Sequence, residues 1–308
     1  MMRRSIAAVL LAASVRVLQA GAAELPATTP QCPQYTWGSY LRDVQVDGVS
    51  LLGPPPAAGS RAEAADVAAV LSAQRAARVA GTVQRAVDDS EQHCARFKDV
   101  LGAALKSPQA SAALAVIQEG ATSVSAITSP VKGYWKRPRP FVVSRRVARL
   151  ADVAPGGALA HSEYPDCPGP PSGPVRSDVR NEARLAREEF VRDHTSYPSG
   201  HAAFGMACAL LLAQVVPEQR AALFARGRQY GAARVIVGAH FPTDVAAGQT
   251  SAVLAIALMM QDTRYRQRFD EARATLREAL GLPAQPPALE PEPGLFTARP
   301  AAAAAPAQ

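Results

Sequence analysis

Ser196-Tyr197-Pro198-Ser199-Gly200-His201, running directly into the apolar stretch from Ala202 to Val216, decides the fold. Gln214 is the one strongly polar residue in that stretch, so a helix built from it is apolar all round and belongs at the centre of a bundle. It falls short of the ~20 residues needed to cross a bilayer. Ser199 ahead of Gly200 supplies an N-cap, which starts the helix at the turn itself. Further helices are expected over 217–237, 243–260 and 262–280. Gln249, Thr250 and Ser251 interrupt the apolar face of the second, which leaves no stable membrane span. The fold class read from this pattern is all-α, a compact helical bundle with its active site at helix ends.

Upstream, Ser60 followed by Glu63 reads as a capping box opening a helix over 61–79. A second helix is expected over 83–105 and a third over 110–128, stopped by Ser129-Pro130. Gly53-Pro54-Pro55-Pro56 favours an extended chain, so 23–60 reads as a Pro-rich wrapping arm without helix. Residues 142–177, with Gly156-Gly157, Pro165, Pro168, Pro170 and Pro171, read as a surface loop insert carrying an exposed His161, and 178–192 as a solvated helix face. The Pro/Ala-rich end, 282–308, buries too little apolar surface to order itself.

The chain begins with a basic Arg3-Arg4 pair, an apolar run from Ile6 to Val15, and the small residues Ala20-Gly21-Ala22. That order is a signal peptide over 1–22, implying a periplasmic or secreted protein with a domain at 61–281. Losing the segment would remove Arg3, Arg4 and Arg16 and reduce the net charge of +7 to about +4. A mild excess of that kind suits small anions. No basic run alternates with aromatics as a nucleic-acid groove would require. Of Cys32, Cys94, Cys167 and Cys208, the last lies inside the apolar helix and reads as a buried thiol. One disulfide is therefore expected among the other three. His93 and His194 read as structural.

Three blocks carry chemistry. In Lys132-Gly133-Tyr134-Trp135-Lys136-Arg137-Pro138-Arg139, an ammonium and a guanidinium stand at the end of a helix, where a phosphate group can use a point charge and a two-pronged donor. In Pro198-Ser199-Gly200-His201, Ser199 offers a hydroxyl and the amides of Gly200 and His201 stand at the positive end of a helix. In Arg234 to Asp244, Asp244 follows His240 by four residues, so its carboxylate is expected to accept the Nδ1 proton and direct Nε2 outward as a nucleophile.

Taken together, Lys-x6-Arg-Pro, Pro-Ser-Gly-His and Arg-x5-His-x3-Asp resemble the signature of the type 2 phosphatidic acid phosphatase superfamily, which includes vanadium haloperoxidases. The arm at 53–60 and the stretch from Lys136 to Phe141 resemble its soluble branch, the bacterial class A non-specific acid phosphatases. The resemblance covers roughly residues 50–280. It implies that Lys132, Arg139 and Arg234 clamp the phosphoryl oxygens and that Ser199 and the Gly200 amide complete the cradle. His240 would attack phosphorus, oriented by Asp244, and His201 would protonate the leaving alcohol.

The implied substrates are small-molecule phosphate monoesters. No cofactor or metal is called for, nucleic acid is not a partner, and a homo-oligomer is allowed. A haloperoxidase-like enzyme holding vanadate on His240 and a non-catalytic oxyanion-binding protein are the alternatives. Ala233 stands where the family usually has serine, so one hydrogen bond behind the site is expected to be missing.

Overall fold

The computed structural model describes residues 40–41, 46–151 and 195–287, all within one compact unit, Tyr35–Gln308. The signal peptide, most of the 142–177 insert, the 178–192 helix, most of the 282–308 tail, His161, His194, Cys32 and Cys167 lie outside the described residues. The described residues form helices joined by turns. Their only β pairing is an isolated antiparallel bridge between Pro138 and Thr195.

Eleven α-helices are described: α1 (Gly48–Leu52), α2 (Arg61–Val79), α3 (Val83–Asp88), α4 (Lys98–Leu101), α5 (Pro108–Thr122), α6 (Ser125–Trp135), α7 (Pro140–Val143), α8 (Gly200–Val215), α9 (Arg220–Ile236), α10 (Pro242–Met259) and α11 (Thr263–Ala279). α8 is the axis expected from its composition, packed against α9, α10 and α5, while α11 closes over α5. Leu105, Ile117, Phe204, Leu211, Leu212, Tyr265, Phe269 and Leu276 fill the space between them. Among the described residues no single helix is long and apolar enough to cross a membrane.

Ser60 caps α2 as expected, its Oγ accepting the Glu63 amide, and Glu63 returns a carboxylate to the Gly59 amide. Four other expectations are corrected. The arm contains a helix after all, α1, whose first turn is capped by Asp47 accepting the Ser50 amide. The helix expected over 83–105 is broken into α3, a 3-10 turn at Cys94–Phe97, α4 and a second 3-10 turn at Ala103–Lys106. The first break falls where Asp89 turns inward to a bidentate ion pair with Arg226, at 2.9 and 2.6 Å, so a buried charge overrides the helical period.

Ser129-Pro130 does not stop a helix. α5 ends at Thr122, where Thr122 and Ser123 hydroxyls both donate to the Glu119 carbonyl, and Pro130 lies inside α6, which continues to Trp135. Restarting at Ser125 places Pro130 in the second turn, where it forfeits one helical hydrogen bond. Finally, Cys208 is not a free thiol. It forms a disulfide with Cys94, tying α8 to the turn at Cys94–Phe97, and both sulfurs lie in the core.

Candidate active site

The third block owes its spacing to the way α9 ends. Gly238, at φ 76°, adopts the left-handed conformation that glycine tolerates best. Its amide bonds to the Val235 carbonyl, and the Ala239 amide returns to the Arg234 carbonyl at 3.0 Å, the paired pattern of a Schellman cap. The His240 amide also reaches the Arg234 carbonyl, at 3.2 Å. Arg234 and His240 are therefore held by one backbone knot, with a spacing set by the cap. Gln74 of α2 secures this knot from outside, donating to the carbonyls of Ala148 and Ile236.

His240 is fully buried, and its partners fix its tautomer. Nδ1 lies 2.8 Å from the Ser196 carbonyl, which can only accept, so Nδ1 carries the proton. Nε2 lies 2.9 Å from Nη1 of Arg139, which can only donate, so Nε2 presents a lone pair. In that tautomer the Nε2 lone pair is held by the Arg139 guanidinium. The expected route differs. Asp244 stays 3.7 Å from Nδ1, and the Ser196 carbonyl takes the proton instead. Asp244 acts one step behind, accepting the Ser196 hydroxyl at 2.5 Å and the Phe241 amide at 2.8 Å.

Arg137 sets the position of Asp244. The sequence reading placed it in the basic block without a role. Its guanidinium donates to Asp244 at 2.6 Å, to the Thr243 hydroxyl at 2.8 Å and to Asp66 of α2 at 2.9 Å, and it lies over the Phe241 ring at 4.0 Å. The signal was present in α2: its buried face reads Glu63, Asp66, Val70, Gln74, Ala77, and acids at core positions demand a buried partner.

The cradle opens α8. Ser199 caps the helix by accepting the Ala202 amide, which leaves its hydroxyl proton for an anion, while its own amide bonds to the Asp244 carbonyl at 2.9 Å. Gly200 and His201 occupy the first turn, where amides have no intrahelical acceptor. Gly248 lets α10 approach this turn: a Cβ there would stand 2.2 Å from the Ser199 carbonyl oxygen. Tyr197, just upstream, donates its hydroxyl to the Leu52 and Gly53 carbonyls, so the N-terminal arm is fastened to the same loop.

His201 is fully buried with Nε2 donating to the Ser90 carbonyl at 3.1 Å, while Nδ1 has no hydrogen-bond partner among the described residues. Burial, followed by the guanidinium of Arg234, the neighbouring His240 and the guanidinium of Arg139, holds its pKa well below the ordinary histidine range, against the Ser90 bond, which favours the charged ring. Arg234 donates to the Ser90 hydroxyl at 2.6 Å. Lys132, in the last turn of α6, reaches the Thr195 carbonyl at 3.1 Å, next to the residue that holds His240. Lys132, Arg139, Ser199, His201, Arg234, His240 and Asp244 are all buried, and their contacts converge on the start of α8 and the end of α9. Ala233 packs against Ala86 and Ala239, an apolar contact where a serine was expected to hydrogen bond.

The model of the PAP2 superfamily matches residues 112–268, just over half of the chain and all three blocks. The chain belongs to the PAP2 superfamily. Its all-α architecture agrees with the helical PAP2 fold. Among individual relatives of this PAP2 protein, an acid phosphatase of Zymomonas mobilis is 39% identical over 84 residues, covering 27% of this chain and 32% of that one. A non-specific acid phosphatase of Salmonella typhimurium is 35% identical over 91 residues, 30% of this chain and 36% of its own length. One of Providencia stuartii is 34% identical over 86 residues, covering 28% and 35%. The chain thus spans about a third of the length of the curated relatives it matches.

Proposed function

We propose that this PAP2 protein is an exported acid phosphatase that hydrolyses small phosphate monoesters, without a metal, through a phosphohistidine at His240. The observation that carries the reading is the His240 ring: Nδ1–H on a carbonyl and an Nε2 lone pair held by Arg139 set the tautomer that attack on phosphorus needs, and Arg139 would release that lone pair as its guanidinium turns to the phosphoryl oxygens. Lys132, Arg139 and Arg234 would spread their charge over the equatorial oxygens, where phosphoryl transfer concentrates negative charge, with the Gly200 amide and Ser199 hydroxyl completing the set. Nε2 bonds to phosphorus as the P–O bond to the alcohol breaks, and His201 gives the leaving oxygen a proton. Water, deprotonated by His201, then displaces the histidine and releases inorganic phosphate.

His201 is neutral in the empty cradle, so it must gain its proton as the substrate arrives. A bound phosphate dianion opposes the cationic surroundings that depress the ring. Activity on the acid side of neutrality follows from that coupling. The buried Cys94–Cys208 disulfide supports export, because such bonds persist in oxidising compartments. Names of the relatives, acid phosphatase and non-specific acid phosphatase, favour the same activity. The test is turnover of p-nitrophenyl phosphate in EDTA across pH by the purified protein and His240→Ala. Metal-free hydrolysis abolished by the substitution supports the reading, and hydrolysis that requires added metal or survives the substitution refutes it.

A further inference from the structure

We infer that Ser90, outside all three sequence blocks, is a positioning residue that holds both Arg234 and His201 for anion binding. The inference rests on the phosphatase reading for its catalytic consequence, but its effect on anion binding stands independently. Ser90 follows α3 in the turn that breaks the expected second helix. Its hydroxyl accepts Nη1 of Arg234 at 2.6 Å, and its carbonyl accepts Nε2–H of His201 at 3.1 Å. One residue thus fixes the direction of a phosphate-binding guanidinium and the tautomer of the proposed acid. With Nε2–H committed to the carbonyl, Nδ1 is the nitrogen left to carry the transferred proton, and Nδ1 is the buried ring atom without a partner among the described residues.

The turn is built to keep Ser90 still. Asp89, one residue earlier, is clamped by both terminal nitrogens of Arg226. One residue later, the Glu91 carbonyl accepts the Tyr230 hydroxyl. Gln118 of α5 then takes the Gln92 carbonyl and the Cys94 amide, and Cys94 is bonded covalently to Cys208 of α8. Each neighbour of Ser90 is anchored to a helix of the bundle. The hydroxyl is therefore held against Arg234 by backbone it does not itself position.

A hydrogen bond to a charged group leads us to expect a roughly ten- to hundredfold loss on removing that hydroxyl. The experiment compares the full protein with Ser90→Ala and Ser90→Thr in p-nitrophenyl phosphate turnover and in binding of inorganic phosphate by calorimetry. We expect Ser90→Ala to raise KM and the Kd of phosphate together by that factor, and Ser90→Thr to recover most of the loss. A merely structural defect would reduce the active fraction, lowering kcat while KM and Kd stay constant. Unchanged phosphate affinity in Ser90→Ala, or a loss that Ser90→Thr does not recover, overturns the inference. If the parent binds phosphate but hydrolyses no ester, and Ser90→Ala still weakens that binding, the phosphatase reading fails while the anchoring role of Ser90 stands.

Discussion

Replacing Arg137 with methionine removes a guanidinium that serves two buried carboxylates, Asp66 and Asp244, while keeping the volume of the side-chain stem. Breaking one buried ion pair by deleting a partner costs about 3–5 kcal/mol, because the remaining charge stays out of water. Here two carboxylates lose their donor, at 2.9 and 2.6 Å, and the stacking over Phe241 at 4.0 Å is lost as well. Protonation of one carboxylate limits the damage, so we expect about 4 kcal/mol in total. In a domain of this size, each kcal/mol moves Tm by roughly 2–4 °C, giving a drop of about 8–16 °C. Activity should fall further than stability alone explains, because Asp244 holds the Ser196 hydroxyl and Ser196 holds His240. The assay is thermal melting by circular dichroism with kcat/KM measured well below the variant's Tm. Adding Asp66→Asn to Arg137→Met should return part of the stability by removing one orphaned charge. A variant that melts within about 2 °C of the parent and keeps its kcat/KM would refute the clasp.

Removing the disulfide with Cys94→Ala and Cys208→Ala should destabilise the protein by about 4–5 kcal/mol in chemical denaturation, since the bond closes a separation of 114 residues. Gly248→Ala puts a methyl 2.2 Å from the Ser199 carbonyl oxygen and must push α10 off the cradle. We expect a cost of about 1–3 kcal/mol in urea unfolding and a larger proportional loss in phosphate affinity. His201 makes stability depend on pH. Below ~6.5 the unfolded chain binds a proton that the native ring, with its depressed pKa, does not, so this contribution is complete above pH ~6.5 and declines as pH falls toward the native value. Urea midpoints from pH 7.5 to 5.5 should show that slope, and His201→Ala or saturating inorganic phosphate should flatten it.

The helices after Ser199 were legible because each carries its own punctuation: Ser199, Pro242 and Asp262 stand within one residue of a helix start, and Pro217 opens the 3-10 turn, Pro217–Gln219, that leads into α9. The cations and histidines proposed for the cradle could be named from sequence because the chemistry of a phosphate group restricts them to few residue types. What stayed hidden was long-range. Asp89 pairs with Arg226 across 137 positions, Arg137 with Asp66 across 71, and Cys94 with Cys208 across 114. A local pattern can show that a buried acid such as Asp66 needs a partner but not which residue supplies it, so the broken second helix, the disulfide and the Arg137 clasp all escaped. The displacement of Asp244 from His240 has the same origin. A spacing of four residues brings a carboxylate near an imidazole, but Ser196, 44 positions upstream, supplies the carbonyl that takes the proton.

The most direct test of a nucleophilic His240 is to trap the enzyme during turnover of a 32P-labelled monoester in EDTA, quench in alkali, and count label on the protein. The account predicts covalent, acid-labile phosphate on the parent chain and none on His240→Ala, with free phosphate release falling in parallel. Label that persists in His240→Ala, or a parent that turns over without ever carrying label, would contradict it.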